Sequence, residues 1–241
     1  MQFSTINESS LHNTLKVMYS EIYDGDTEVS LDGHVYDIVT KNNNVIEIQT
    51  KNLSHLAFKV KDAIEKGHNI KIVYPIPLTT YIHLYNKEGD LIKKSKSSKK
   101  GSIYDLFSEV TKLYPFLLNP HFSLEIVEIT MTDIREKEDS LVQSRNGRRR
   151  FRKDWIKKDK SLNEIIDTKI FNKKEDYLSL LPKTLPEEFC AKDLHLCLKD
   201  EKLAPARIYN NSNIITWVLS RINLIKETQI KNKNHYFKIN N

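Results

Sequence analysis

The alternation of apolar and polar positions divides the chain into helical and strand-like stretches. Leu11, Leu15, Met18, Tyr19 and Ile22 fall on one face of a helix over Ser9 to Tyr23, which Asp24-Gly25-Asp26 ends. Short strands are predicted over Glu28 to Leu31 and His34 to Thr40, flanking the hairpin dipeptide Asp32-Gly33. Asn42-Asn43-Asn44 makes the next turn, and Val45 to Thr50 a third strand. Leu53, Leu56, Ala57, Val60 and Ile64 then repeat at helical spacing, with Gly67 placed to end that helix. Ile70 to Tyr74 is a compact apolar run that reads as a buried strand stopped by Pro75 and Pro77. Tyr81 to Tyr85 reads as a separate strand, and the serine- and lysine-rich residues 93–100 as a loop. Ile103, Leu106, Phe107, Val110 and Leu113 mark a helix ending before Pro115, and Leu124, Ile126 and Ile129 a strand from Ser123 to Thr132.

From Arg135 to Lys160 the apolar period disappears and charge takes over, which predicts a domain boundary. The expected organisation is a first domain over 1–134, a basic connector over 135–160 and a second domain over 161–241. In the last, Ser161-Leu-Asn-Glu164 reads as a capping box opening a short helix. Ala191, Leu194, Cys197 and Leu198 space like one helix face, and Ile214, Val218, Leu219 and Ile222 like another. Leu224-Ile225 and Tyr236 to Ile239 flank the polar tip Lys231-Asn-Lys-Asn234, as in a β-hairpin. The fold class is α/β (α+β).

Composition narrows the class of protein. Of 241 residues, 39% are hydrophobic and 29% charged, as in a globular protein with a heavily charged surface. No apolar run is long enough for a membrane span, and the chain's start lacks the pattern of a secretory leader. Two cysteines, Cys190 and Cys197, make neither a disulfide scaffold nor a zinc site, so a cytoplasmic location is expected. The net charge of +6 is unevenly placed: Gly89 to Gly101 carries +4 and Ser144 to Lys160 +7, leaving −5 elsewhere. Such concentration suits a polyanion-binding surface, although solvated loops also explain it.

Candidate chemistry gathers on the second and third strands. Glu47 and Gln49 share a strand face, with Lys51 beyond, and a hairpin that pairs Asp37 near Glu47 brings two carboxylates together. Two hard oxygen ligands at the end of a sheet suit Mg²⁺, which can activate water at a phosphodiester. A polar hairpin edge with solvated acids is the alternative. With its α-β-β-β-α-β order, Asp37 before a turn and Glu47-Ile48-Gln49 on the next strand, the segment from about residue 8 to 132 resembles the PD-(D/E)XK nuclease superfamily. The resemblance implies a restriction-endonuclease-like mixed sheet flanked by helices. It implies Asp37, Glu47 and the carbonyl of Ile48 as ligands of Mg²⁺ or Mn²⁺, and Glu8 as the acidic residue of the first helix, with Glu28 the weaker match. Lys59 and Lys61 would be available to phosphate. Gln49 stands where the superfamily usually has lysine; it can hold water by hydrogen bonds, and Lys51 could supply charge.

Two further features point to nucleic acid. Arg145, Arg148, Arg149, Arg150 and Arg152 form a cluster suited to bidentate phosphate contacts, while Phe151 and Trp155 read as packing residues. Residues 161–241 resemble a winged helix-turn-helix domain. That implies a recognition helix over Ser212 to Arg221, with Asn213, Thr216 and Arg221 facing DNA, and a wing presenting Lys231 and Lys233. His12, His34, His55 and His83 lack metal-ligand spacing and read as structural. The expected activity is metal-dependent hydrolysis of DNA, double-stranded before other forms, with room for a homodimer and no membrane partner. The rival is a nuclease fold without catalysis, acting as a DNA-binding or regulatory module.

Overall fold

The computed structural model describes residues 8–144 and 147–240. Helix α1 (Ser10–Tyr23) is capped by Ser9, whose side chain accepts from the His12 N–H, and it ends at Asp24 in the left-handed conformation. Three strands follow, β1 (Gly25–Leu31), β2 (His34–Thr40) and β3 (Val45–Ile48), with Asp32 and Gly33 both at positive φ in the first turn. A 3₁₀ turn over Leu53–Leu56 leads into α2 (Ala57–Glu65), which carries the chain over to β4 (Ile70–Tyr85), parallel to β3. Next come β5 (Leu91–Lys96), the short α3 (Leu106–Glu109) among 3₁₀ turns, β6 (Phe122–Val142) and β7 (Lys153–Phe171). The sheet order is β1-β2-β3-β4-β6-β7, with β5 paired to the second half of β4. Strands β3, β4 and β6 are mutually parallel, and the outer pairings are antiparallel.

Both faces of this mixed sheet are covered by helices. On one, Leu11, Leu15 and Tyr19 of α1 pack on Ile38, Ile46, Ile48, Val73, Val127 and Ile129. On the other, a continuous core runs from Tyr36 through α2 and α3 to Phe237. It takes in the C-terminal elements α4 (Lys174–Leu178), β8 (Phe189–Cys190), α5 (Ala191–Asp200), α6 (Ala206–Tyr209), α7 (Ser212–Arg221), β9 (Ile225–Lys231) and β10 (Asn234–Ile239). Strands β8, β10 and β9 make a separate three-stranded antiparallel sheet. Both cysteines are free. Among the described residues, no helix is long and apolar enough to cross a membrane.

Four sequence expectations are corrected. Residues 135–160 are not a connector: their described part forms the outer halves of β6 and β7, a long hairpin paired from Leu124↔Phe171 out to Val142↔Lys153. Its residues are exposed or half-buried and none is fully buried, so no face of it leaves a burial signal. Ser161 to Glu164 is strand, not helix, because the β6 ladder and the packing of Leu162 and Ile165 under the sheet override a local capping box. Of the expected loop over residues 93–100, Lys93 to Lys96 belong instead to strand β5; every residue of that strand is exposed, and its ladder with β4 holds it.

The fourth concerns Pro75 and Pro77, which lie inside one 16-residue strand rather than stopping it. Gln49 donates its N–H to Val73 O, so Val73 and residues of the same parity turn their backbone groups toward β3. Strand β3 ends at Ile48, paired with Val73, and β5 begins pairing only at Tyr81. The prolines therefore face a stretch with no neighbouring strand, where a missing N–H breaks no ladder bond. The same gap opens a cleft beyond the carboxyl end of β3.

Candidate active site

The site is assembled where β2 and β3 meet the start of α1. In the β1–β2 ladder Thr27 pairs with Ile38 and Val29 with Tyr36, so Glu28 and Asp37 stand opposite one another, but this one pair is skipped, with Glu28 at positive φ. This irregularity turns the Asp37 carboxylate toward α1, where Oδ2 stands 3.3 Å from His12 Nε2 and accepts the Ile48 N–H at 2.7 Å. His12 Nδ1 in turn stands 3.3 Å from Glu8 Oε2. That nitrogen is buried and makes no hydrogen bond. Lys16, only 3% exposed, pairs with Glu8 at 2.8 Å and with Glu28. Glu8, His12 and Lys16 thus form a stripe at helical i, i+4, i+8 spacing.

Glu47 faces the other way, toward α2. Its Oε1 accepts the Asp37 N–H at 3.1 Å and the Lys59 ammonium at 2.5 Å. Lys59 also donates to Val35 O and lies 4.6 Å from the centre of the Tyr36 ring. The two carboxylates are therefore linked through the Asp37 backbone, and both line one cavity with Glu8, His12, Gln49 and Lys51. Lys157, Lys158, Asp159 and Lys160 of β7 close its far side. Asp159 also fastens the start of α1, accepting from the Ser10 N–H at 2.9 Å and from the Ser10 hydroxyl.

Burial sets the electrostatics. It pushes the Glu47 carboxyl up to about 7, aided by the Asp37 charge and opposed by Lys59. Asp37 goes the other way: burial opposes its charge, but hydrogen bonding and attraction to His12 and the Ile48 N–H outweigh it and hold the carboxyl below its ordinary value. For His12 burial likewise opposes the charged ring, and Asp37 and Glu8 outweigh it, so its pKa is raised.

Sequence reasoning brought together Glu8, Asp37, Glu47, Gln49 and Lys51, and the structure places all five on one cavity. Among the described residues, the group able to hold a metal ion is Glu8, His12 and Asp37, with ligand atoms within 4.8 Å of one another. His12, expected to be structural, stands in this group with Glu8 and Asp37; its i, i+4 relation to Glu8 is the sequence signal for that placement. Glu47 lies outside that trio. Lys59, expected at phosphate, is instead the partner of Glu47.

The nucleic-acid candidates fall in two places, the turn between β6 and β7 and the C-terminal elements. Arg145 lies outside the described residues. Arg149 stacks on Trp155 at 4.0 Å and bonds its carbonyl oxygen at 3.1 Å, while Arg135 stacks on the same ring at 3.8 Å. Trp155 is therefore structural, as expected, but Phe151, 62% exposed, is not packed. Arg148, Arg150 and Arg152 are exposed near the hairpin end. In α7 and the β9–β10 tip, Asn213, Arg221, Lys231 and Lys233 are exposed. Thr216 is largely buried and its hydroxyl bonds to Ser212 O and Asn213 O within its own helix, and it lines one cavity with Asn213, Arg221 and Lys233.

Comparison with known proteins gives a family without an assigned activity. A family model described as a domain of unknown function (DUF8091) matches residues 9–172. An uncharacterized protein of Treponema pallidum (strain Nichols) is 33% identical over 194 residues, covering 80% of this chain and 74% of that protein. No solved structure matches the chain. The matched stretch runs from the cap of α1 to just past β7, so it takes in the large sheet and every residue of the cavity except Glu8. The chain belongs to the DUF8091 family.

Proposed function

We propose that the chain is a metal-dependent nuclease of the PD-(D/E)XK type that hydrolyses DNA phosphodiesters and is positioned by a C-terminal winged-helix unit. The observation that carries the reading is the meeting of Glu8, His12, Asp37, Glu47, Gln49 and Lys51 in one cavity at the open end of β3. Glu8, His12 and Asp37 fit a divalent cation, because their ligand atoms converge and the buried His12 Nδ1 has no hydrogen-bond partner. An imidazole between two carboxylates favours Mn²⁺ over Mg²⁺, which prefers oxygen alone. When bound, such an ion lowers the pKa of a coordinated water and stabilises the leaving oxygen.

The chain's own groups supply the rest. Glu47, with its carboxyl near 7, takes the proton of the attacking water at neutral pH. Gln49 holds that water through its amide. Lys59 provides, from α2, the positive charge that Gln49 lacks on β3. For the C-terminal unit, the order β8, α5, α6, α7, β9, β10 and the closure of β8 on β10 support the winged-helix reading.

Gln49 in place of lysine favours the second reading, a DNA-binding module without catalysis. A plasmid-nicking assay with Mn²⁺ or Mg²⁺ separates the two. Wild type should nick and Glu47→Ala should not, while both bind DNA alike. Absence of nicking by wild type with either ion leaves the binding module.

A further inference from the structure

Next to the catalytic cavity lies a second one, about 410 Å³, in the gap between β3 and β5 along β4. Its floor is Tyr74, Pro75, Ile76, Pro77 and Met131. Gly101 closes it from above, so near β4 that a Cβ there would stand 2.5 Å from Pro77 O. Thr50, Lys157 and Lys160 line both cavities, so the two are adjoining parts of one groove.

The charges around this groove do not balance. The acids are engaged: Asp105 by Arg207, Asp133 by Arg135 at 2.7 Å and Lys157 at 2.9 Å, and Glu109 by the Leu53 N–H at 3.1 Å. Lys51, Lys99 and Lys160 line the groove, and among the described residues none of their ammonium groups makes a hydrogen bond or ion pair. Lys160 is half-buried at the junction. Burial, then the neighbouring charges of Lys157, Lys51 and Lys99, hold its pKa below the ordinary lysine value despite attraction to Asp133. An unpaired ammonium held among other ammoniums is relieved by an anion placed between them.

We infer that the second cavity receives one unpaired nucleotide of the cleaved strand, its phosphate between Lys160, Lys99 and Lys51 and its base on the floor formed by Tyr74, Pro75, Ile76 and Pro77. This rests on the nuclease reading of the adjoining site and makes its substrate a single-stranded or splayed segment. Two physical points favour a nucleotide over a bare phosphate or a base pair. The volume lies in the range of small-ligand pockets and is far too small for paired bases. The cavity also joins an apolar floor to a cationic mouth, which matches the flat base and charged phosphate of one nucleotide.

The test is binding of a fluorescent 12-nucleotide oligo-dT to the full chain in EDTA, so that hydrolysis plays no part. Lys160→Gln and Lys99→Gln should each weaken it several-fold and lower the log–log salt slope by about 0.7, the loss of one single-strand phosphate contact. Lys112→Gln, at an exposed lysine that does not line the groove, should change neither. A closed duplex hairpin should respond little to either groove variant. Circular dichroism confirms that the variants fold. Unchanged oligo-dT binding in both groove variants overturns the inference, as does an equal loss for oligo-dT and duplex. Competition by dTMP as strong as that by unlabelled oligo-dT overturns the strand in favour of a free nucleotide. The nuclease reading fails separately: if oligo-dT binds with the expected pattern but Mn²⁺ yields no cleavage, the groove stands and catalysis falls.

Discussion

The sheet and the C-terminal unit handle charge in opposite ways. Around the cavity at the end of β3 several charged groups are buried and tied to partners: Lys16 is 3% exposed, Glu47 5% and Asp133 2%. In α7 and the β9–β10 hairpin, Arg221, Lys231 and Lys233 stand in solvent. Burying a charge weakens a fold unless partners are geometrically right, and several such charges gathered in one cavity are what the proposed chemistry needs. Exposed charges carry no such penalty and contribute only a screened attraction. On the proposed reading the difference separates a reacting region from a docking one.

Breaking that separation at its strongest point uses Asp37, the carboxylate proposed to hold the metal. Asp37→Ala should remove several kcal/mol of transition-state stabilisation, about a thousandfold in cleavage rate, with little change in DNA affinity. Arg150→Ala with Arg152→Ala should do the reverse. It should lower the salt slope of duplex binding by up to about 0.9 per lost contact and leave the rate at saturating DNA unchanged. Single-turnover cleavage beside a salt titration reads both. A large rate loss in the arginine variant would collapse the distinction.

Stability offers a second contrast. Lys16→Ala leaves Glu8 and Glu28 facing each other without their shared cation. It should lower unfolding stability by about 2–3 kcal/mol, at the lower end for a broken buried pair because both acids keep some solvent. Lys231→Ala with Lys233→Ala should stay within about 0.5 kcal/mol of wild type. Urea unfolding measures both.

How far this was legible depended on what the sequence writes locally. Ser9, Asp32-Gly33 and the pair Glu47 and Gln49 declare themselves through capping, turn and alternation. Strands β5 and the outer hairpin do not, because a ladder with no buried face leaves no periodic trace. Pro75 and Pro77 misled because their tolerance depends on where β3 stops, a fact of topology. The place of His12 beside Asp37 is not legible for a similar reason: it follows from how α1 packs on the sheet.

The pH response sharpens the contrast with a smaller effect. Glu47 has a folded pKa of about 7, above its ordinary 4.5. Its contribution to stability is fully present below about 4.5 and is lost as pH rises toward 7. Asp37, held below its ordinary value, contributes stability above that value and loses it on further acidification. Glu47→Gln should therefore flatten the stability profile between about pH 4.5 and 7 and leave the acid limb unchanged. Exposed acids of the C-terminal unit should contribute no comparable feature. Thermal melts of the two proteins across pH decide this. A wild-type profile already flat in that window would mean that Lys59 fully compensates the burial of Glu47.

Gln49→Lys should have the smallest effect, and its size reports how the site is built. If the missing lysine were the defect, restoring it would raise cleavage by orders of magnitude. Lys59, however, already lies 2.5 Å from Glu47, so the positive charge beside that carboxylate is in place. A second ammonium at position 49 adds attraction for phosphate but also repulsion toward Lys51, Lys157 and Lys160 on the same cavity. The net change in cleavage rate should stay within a few-fold, and the loss from Lys59→Met should exceed it. Kinetics of the two single variants and the double variant test the exchange directly. Rescue of Lys59→Met by Gln49→Lys would show that the two positions serve one role, charge beside Glu47, reached from α2 in this chain and from β3 in the variant.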